Sequence, residues 1–509
     1  MKWPAIGGLP MSQKRETKEI VIIGAGIAGL ATGCYARMNG YRTRIFERHN
    51  LPGGLCTSWT RKGFVFDGCL HNLAGSSPSS KLYRVWEELG AAPGWKIINH
   101  KEFTRIEDAP GRALTFYTDI DRLEHHLKEL SPADAEVIDE YIRAARRFAG
   151  LDLMGMLVAG PGDVLKMLPR LPSVMKWMKV TLREFGRRFR DPFLRRAFPC
   201  VQYDLPDAPV AVSLAFLTGL HRGDLGWVEG GSLALAQALA RRYAELGGEI
   251  QYRARVERIL VENDRAVGVR LADGTEDRAD LVISAADGHA TIFGLLEGRY
   301  LNDKIRNYYA KPPGRSPMSL QVSLGINRDL SPEPHAMVLL LDEPVTVAGE
   351  ARDRLDLENY AFDPGFAPPG KTALKVMLET SYDYWRDLMD RGRAEYDAEK
   401  ERTAAAVIGA LARRFPGLGE DVEVIDVATP LTTERVTGNW RGLQAYASSW
   451  KDGLLGGGIS KTLPGLGNFH MVGQWAGATI GLSTVAVMGR KLVKEICEQD
   501  GKRFVTTVG

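Results

Sequence analysis

Cysteine is scarce in this chain of 509 residues: Cys34, Cys56, Cys69, Cys200 and Cys497 are the full set. None forms a CxxC pair or a cluster with metal-ligand spacing, so no metal is expected, and the scatter fits a reducing, cytoplasmic compartment. Charge of one sign is also scarce. The net value of +3 is too small to imply a nucleic-acid partner, and no zinc-finger, RNA-binding or helix-turn-helix pattern is present. Long apolar runs are missing as well. The stretch 20–31 is rich in glycine and shorter than a membrane span. Residues 1–18 are polar and basic without an apolar core, unlike a signal peptide, and Met11 is an alternative start. There is no internal repeat and no low-complexity segment. The composition is otherwise that of a globular protein, 44% hydrophobic and 25% charged, and too long for one core.

The information is concentrated between residues 20 and 67. An apolar run at 20–23 reads as a buried parallel strand. Gly24-Ala25-Gly26-Ile27-Ala28-Gly29 follows and opens a helical pattern. Gly24 permits a tight turn, Gly26 lets the backbone approach a pyrophosphate, and Gly29 allows close helix–strand packing. Ile27 and Ala28 then fall at a helix N-terminus facing the phosphates. A second strand at 43–46 ends in Glu47, followed by Arg48, at the distance where a carboxylate meets a ribose diol. Strand, glycines, helix, strand and acid in this order specify an ADP-containing cofactor. Gly53-Gly54 and the run 63–68 have no counterpart in a plain NAD domain.

Further cofactor features come in two later pieces. The first, 228–287, opens on Glu229-Gly230-Gly231-Ser232 and a helix at 233–246. Strands follow at 249–259 and 266–271, then an apolar strand at 280–284 ending in Ala285-Ala286-Asp287. The second, 467–497, offers a strand at 469–472, a glycine-rich loop at 473–481 and a helix at 483–498. The intervening 76–226 is largely helical in pattern, whereas 317–428 carries β-rich runs at 319–324, 337–341 and 373–378. The expected fold class is α/β: a Rossmann-like FAD-binding domain with a parallel sheet, interleaved with an α+β substrate domain. The expected boundaries are 19–75, 228–290 and 429–505 for the former, and 76–227 and 291–428 for the latter.

The chain resembles the phytoene desaturase, carotenoid isomerase and retinol saturase family of flavoproteins, within the flavin amine oxidase superfamily. The carrying residues are the N-terminal motif with its Glu-x5-Gly-Gly, Glu229 to Ser232, 281–287, Asp363-Pro364-Gly365-Phe366-Ala367-Pro368-Pro369-Gly370-Lys371, Thr429-Pro430-Leu431-Thr432 and Gly473-Gln474-Trp475. Ala-Pro-Pro-Gly-Lys with Tyr382-Asp383-Tyr384-Trp385 most resembles the isomerase and saturase branch. Leu55 departs from the arginine that many relatives place at the phosphates.

The resemblance implies noncovalent FAD. Gly53 and Gly54 would bring a second loop to the pyrophosphate, and the backbone of Val256 would meet the adenine. Ala285 would also lie at the cofactor. Gly473 and Gln474 would approach the pyrophosphate and ribityl chain. The helix start at Gly481, Leu482, Ser483 and Thr484 would point its positive end at the flavin N1–C2 edge, where a reduced flavin is anionic. Catalytic candidates are His71, as acid or base or as a histidine bonded to backbone, and Glu434, beside Arg435, facing the site or paired on the surface. Cys69 reads as a small buried residue.

The implied substrate is a long apolar isoprenoid, carotenoid or retinoid, altered at carbon–carbon bonds by desaturation, saturation or isomerisation. The electron donor or acceptor stays open: oxygen, a quinone or a redox protein. The segment 174–196 puts Val174, Trp177, Met178, Leu182, Phe185 and Phe189 at helical spacing opposite Lys176, Lys179, Arg183, Arg187 and Arg190. It reads either as a helix lying on an anionic membrane or as a packed helix with a basic face, so a peripheral site on the inner membrane face is the alternative to the cytoplasm. Two competing classes are a flavin amine oxidase and a non-enzymatic escort of prenylated partners. The lack of a cysteine pair on the first helix argues against a flavin disulfide reductase.

Overall fold

The computed structural model describes residues 17–92, 94–108, 111–202, 205–314, 316–444, 458–477 and 481–506. Met11 and residues 478–480 of the glycine-rich loop therefore lie outside the described residues.

The N-terminal run forms strand β1 (Glu19–Ile23), helix α1 (Ile27–Met38) and strand β2 (Arg42–Phe46). Ile20 to Ile23 are apolar and buried on both faces, as a central parallel strand covered by helices requires. β1 pairs in parallel with β2 on one side and with Leu281–Ser284 on the other, and Glu249–Gln251 and Phe469–Met471 complete the edges. Five strands from four separated stretches of chain thus make one parallel sheet. α1 packs between the helices Gly231–Glu245 and Leu482–Gln499.

A second sheet has seven strands. Its spatial order is Val422–Ala428, Ser316–Ile326, Thr372–Thr380, Glu350–Asn359, Ala336–Val347, Glu102–Glu107, Ala113–Tyr117. Only the junction of Ala336–Val347 with Glu102–Glu107 is parallel. One face packs on helices Tyr382–Arg391 and Arg393–Arg414. On the other, Val338 and Leu340 join a cluster of helices drawn from 120–217.

One expectation needs an addition and one a correction. The stretch 76–226 is largely helical, but Glu102–Glu107 and Ala113–Tyr117 form an antiparallel pair that extends the second sheet. These runs of 6 and 5 residues are too brief to stand out among the helices around them. The single strand expected at 249–259 is two: Glu249–Gln251 closes the parallel sheet, and Val256–Glu262 turns into a separate three-stranded sheet. Arg253, with φ of 55°, makes the corner between them.

Candidate active site

At the carboxyl end of β1 the chain turns through Gly24, at φ 97°, whose N–H donates to Phe46 O (2.8 Å). A methyl on Gly29 would lie 2.0 Å from Gly24 O, so α1 can approach the turn only with glycine there. Gly26 caps α1 without a side-chain acceptor, which leaves the first-turn N–H groups directed at whatever occupies the cleft. Gly53 runs alongside Gly26 in a parallel bridge, its N–H donating to Ala25 O (2.9 Å). Two glycine backbones thus form a double wall with no side chain between them.

Glu47 is buried beside this wall. Its Oε2 accepts from Ala25 N–H (2.7 Å) and its Oε1 from His49 N–H (2.8 Å). Burial pushes the carboxyl above its ordinary range, and the N–H groups of His49 and Ala25 oppose the push. The residues fit an ADP moiety: unused helix N–H groups, a side-chain-free approach, and a fixed carboxylate with acceptor capacity left for a diol.

All the candidate cofactor residues except Gly29 line one cavity of about 2730 Å³. Ile27, Ala28, Arg48, Gly54, Leu55, Val256, Ala285, Gly473, Gln474, Gly481, Leu482, Ser483 and Thr484 are among them. Gly29 acts one layer behind, through packing. The second helix N-terminus, at Gly481, also has no side-chain cap, and Ser483 Oγ donates to Ala74 O (2.8 Å). Gln474 donates to Gln444 O (2.6 Å).

His71 lines the same cavity. Its Nδ1 is paired with the Glu358 carboxylate. Glu358 also meets the Lys375 ammonium at 2.7 Å and accepts from Tyr360 OH (2.5 Å). Burial would raise the Glu358 carboxyl, but the charges of His71 and Lys375 outweigh it and hold the group well below the usual carboxylate range. His71 is therefore a ring oriented by the Glu358 carboxylate. Glu434 is placed differently. It is absent from the cavity wall, where Thr433 and Arg435 appear instead. Its carboxylate accepts from Tyr382 OH (2.9 Å) and Arg441 N–H (3.1 Å), which ties a helix end to the second sheet's helical layer.

Sequence reasoning missed Asp67, Asp363 and Glu358. Strands β3 (Ser58–Arg61) and β4 (Phe64–Asp67) form a hairpin that ends on Asp67. This buried carboxylate accepts from the N–H groups of Cys69, Leu70 and Ser232 and from Ser232 Oγ (2.6 Å). A methyl on Gly231 would lie 2.4 Å from Asp67 Oδ2. Asp363 accepts from Gly230 N–H (2.8 Å) and the Trp227 indole (2.9 Å). Three separate words of the sequence are thus clamped together behind the cavity by two carboxylates. The signal was an aspartate close to a glycine in two of the words, Asp67-Gly68 and Asp363-Pro364-Gly365.

Beyond the cofactor wall the cavity continues between helices and the second sheet. Leu153, Met154, Val174, Met178, Ala211 and Phe216 face it from the helical side. Gln321, Arg354 and Asp356 face it from the sheet.

The single amphipathic helix expected at 174–196 is not present. The chain forms three short helices, Leu171–Met178, Leu182–Gly186 and Pro192–Ala197. Trp177, Leu182, Phe185 and Phe189 are buried in the helical core. Lys176 pairs with Glu140 and Arg183 with Asp207, both at 2.8 Å. The helical periodicity was real, but the capping box Thr181–Glu184 and the Asp191-Pro192 start break it into pieces that pack inward. Among the described residues no helix is long and apolar enough to cross a membrane.

A family model described as flavin containing amine oxidoreductase matches residues 27–455. Prolycopene isomerase from Arabidopsis thaliana is 26% identical over 440 residues, 82% of this chain and 72% of that protein. A lycopene-forming phytoene desaturase from Pseudescherichia vulneris is 26% identical over 434 residues, 81% of this chain and 85% of that one. The crystal structure of an oxidoreductase from Methanosarcina mazei superimposes with a TM-score of 0.60 at 19% identity, covering 94% of this chain and all of that one.

Proposed function

The chain belongs to the flavin containing amine oxidoreductase family, and from that premise we propose that it alters carbon–carbon bonds of a long apolar polyene of the carotenoid or retinoid kind. FAD is the cofactor and the protein is an oxidoreductase. Bound FAD supplies hydride acceptance or donation; orientation, water exclusion and electrostatics are left to the protein.

The observation that carries this reading is the continuity of the cavity. The wall built of Gly26, Gly53 and Glu47 leads directly into a passage faced by Leu153, Met154, Val174, Met178 and Phe216. A rigid apolar chain fits such a passage by burying its surface, worth roughly 25 cal/mol per Å². The names of the two relatives, one an isomerase and one a desaturase, support the same bond type. Around the reacting carbons, the chain's own groups hold the double bond beside the cleft wall and exclude water. His71, oriented by Glu358, is the proposed group for holding or moving a proton there.

The polyene would come from a membrane. Leu165, Leu168, Leu171 and Met175 are 68%, 53%, 44% and 50% exposed. They lie on helix Pro161–Met167, the helical turn Leu168–Arg170 and helix Leu171–Met178, and Val174 and Met178 of the last face the cavity. The exposed side chains of Lys166, Arg170 and Lys179 surround them. Apolar ridge, basic surround and cavity wall on one short segment suit an anionic lipid surface. The reading is tested by mass spectrometry of the organic extract of purified protein. A C=C-rich isoprenoid should co-purify in near-stoichiometric amount; a polar amine in its place would overturn it.

A further inference from the structure

Strand Glu350–Asn359 sends alternate side chains to opposite faces of the second sheet. Leu355 and Leu357 join the core packed on helices Tyr382–Arg391 and Arg393–Arg414. Arg354, Asp356 and Glu358 take the other face, and Arg354 and Asp356 reach the cavity. The cross-strand partners of Asp356 are Val338 on one side and Met377 on the other, so neither side chain offers a donor. Gln321 stands opposite Met377 in the same row, but its amide donates to Asp67 O (3.1 Å) and Ser323 Oγ (2.9 Å). Asp356 is 8% exposed. Among the described residues no donor meets its Oδ1. Arg354 Nε stands 3.7 Å from Oδ2, too far for a hydrogen bond, and the same guanidinium is engaged at Cys200 Sγ (3.4 Å). Burial pushes the Asp356 carboxyl upward, against the pull of Arg354. A buried acceptor without a donor costs free energy, and this one fronts the cleft.

We propose that Asp356 is a specificity-determining residue of this cavity, the acceptor for a hydroxyl group carried by the polyene. The inference rests on the polyene reading and adds to it the polar group that the substrate bears. Three features select a neutral donor. Arg354 already balances the Asp356 charge, so the missing partner is a hydrogen-bond donor rather than a cation. A second anion, such as a substrate carboxylate, would meet Asp356 in a site of low dielectric and be repelled. A pure hydrocarbon would displace any water serving Oδ1 and leave the acceptor buried without a donor. The position in the strand sets where the hydroxyl lies. Glu358, which orients His71, is two residues along the same strand and on the same face, about 7 Å away at the rise of a β-strand. The hydroxyl therefore belongs close to the carbons held beside His71, not at the far end of a long chain. Its hydrogen bond to Asp356 holds the polyene in one direction and one register along the passage.

The test measures binding to the full FAD-loaded chain by quenching of tryptophan fluorescence. Four probes share the retinyl polyene and differ only at its end: retinol, the hydrocarbon with hydrogen in place of the hydroxyl, retinoic acid and retinylamine. Retinol should bind about tenfold or more tighter than the hydrocarbon, as a hydrogen bond to a charged acceptor requires. It should also bind tighter than the acid or the amine. Asp356→Leu should erase the difference between retinol and the hydrocarbon, while the hydrocarbon's own affinity and the flavin spectrum stay unchanged. If that variant does not fold, the ranking in the parent still decides the matter. Equal binding of retinol and the hydrocarbon would overturn the inference, since water alone then serves Asp356. Tightest binding of the acid would assign the recognition to Arg354, and tightest binding of the amine would assign it to charge pairing; either result overturns the inference. A hydrocarbon that binds in any of these cases leaves the polyene reading standing, whereas failure of all four to bind would overturn both.

Discussion

At the scale of single residues, the decisive groups are buried carboxylates with assigned donors. Glu47 keeps two backbone N–H donors and retains acceptor capacity toward the cleft. Glu47→Gln loses a charge-assisted acceptor worth roughly 1.5–3 kcal/mol. FAD affinity should fall about tenfold or more, read by equilibrium dialysis, with the far-ultraviolet dichroism unchanged. Unchanged affinity would mean that the ribose is held elsewhere. A second residue-scale feature is the stack of His100 on His335, ring centroids 3.6 Å apart. Burial pulls His100 down to about 4, and burial with the neighbouring ring pulls His335 down to about 3. Both are therefore neutral in the folded protein, while an unfolded histidine titrates near 6.5. Their contribution to stability is fully present above about pH 6.5 and is lost as pH falls toward 4 and then 3. His335→Phe keeps a ring in the stack and removes one titration. Between pH 7.5 and 5, its urea stability should drop about 1–2 kcal/mol less than the parent's. Equal drops in both proteins would contradict the assignment.

At the scale of elements, legibility followed how local the cause was. β1, α1 and β2 were legible because turn, glycine spacing and burial on both faces are all written between Glu19 and Phe46. The hairpin of β3 and β4 was visible only as a glycine-bearing run, since its meaning depends on Ser232 meeting Asp67 from 165 residues away. Glu358 could not be found at all, because nothing in its own strand announces His71 and Lys375. The segment 174–196 shows the opposite failure. Its periodicity suggested one lipid-facing helix, yet Trp177 and Phe185 pack edge to face inside the core, and of the exposed apolar side chains Leu165, Leu168 and Leu171 precede the segment while Met175 stands at its start. A triple variant, Leu165→Gln, Leu168→Gln and Met175→Gln, should reduce sedimentation with anionic vesicles several-fold and leave the flavin spectrum intact. Raising salt should weaken the parent's binding, since each basic residue near an anionic surface contributes about 1 kcal/mol within a Debye length. Trp177→Ala should instead lower stability without a specific effect on vesicle binding. If the triple variant sediments like the parent, the ridge is not the docking surface.

At the scale of the whole molecule, a five-stranded parallel sheet and a seven-stranded, largely antiparallel one face a shared cavity. The walls of that cavity therefore come from chain segments that alternate along the sequence. The cofactor should be released by acid precipitation as intact FAD, leaving a colourless pellet; colour retained in the pellet would indicate a covalent link. The most direct measurement mixes FAD-loaded protein, without oxygen, with a linear carotene carried in anionic vesicles. It follows the flavin absorbance and the products by chromatography, once with oxidised and once with reduced flavin. The expected result is a product differing in the number or geometry of its C=C bonds in at least one of the two states, with flavin absorbance changing whenever the number changes. Unaltered carotene in both states, alongside rapid flavin reduction by a simple amine, would contradict the assignment to carbon–carbon chemistry.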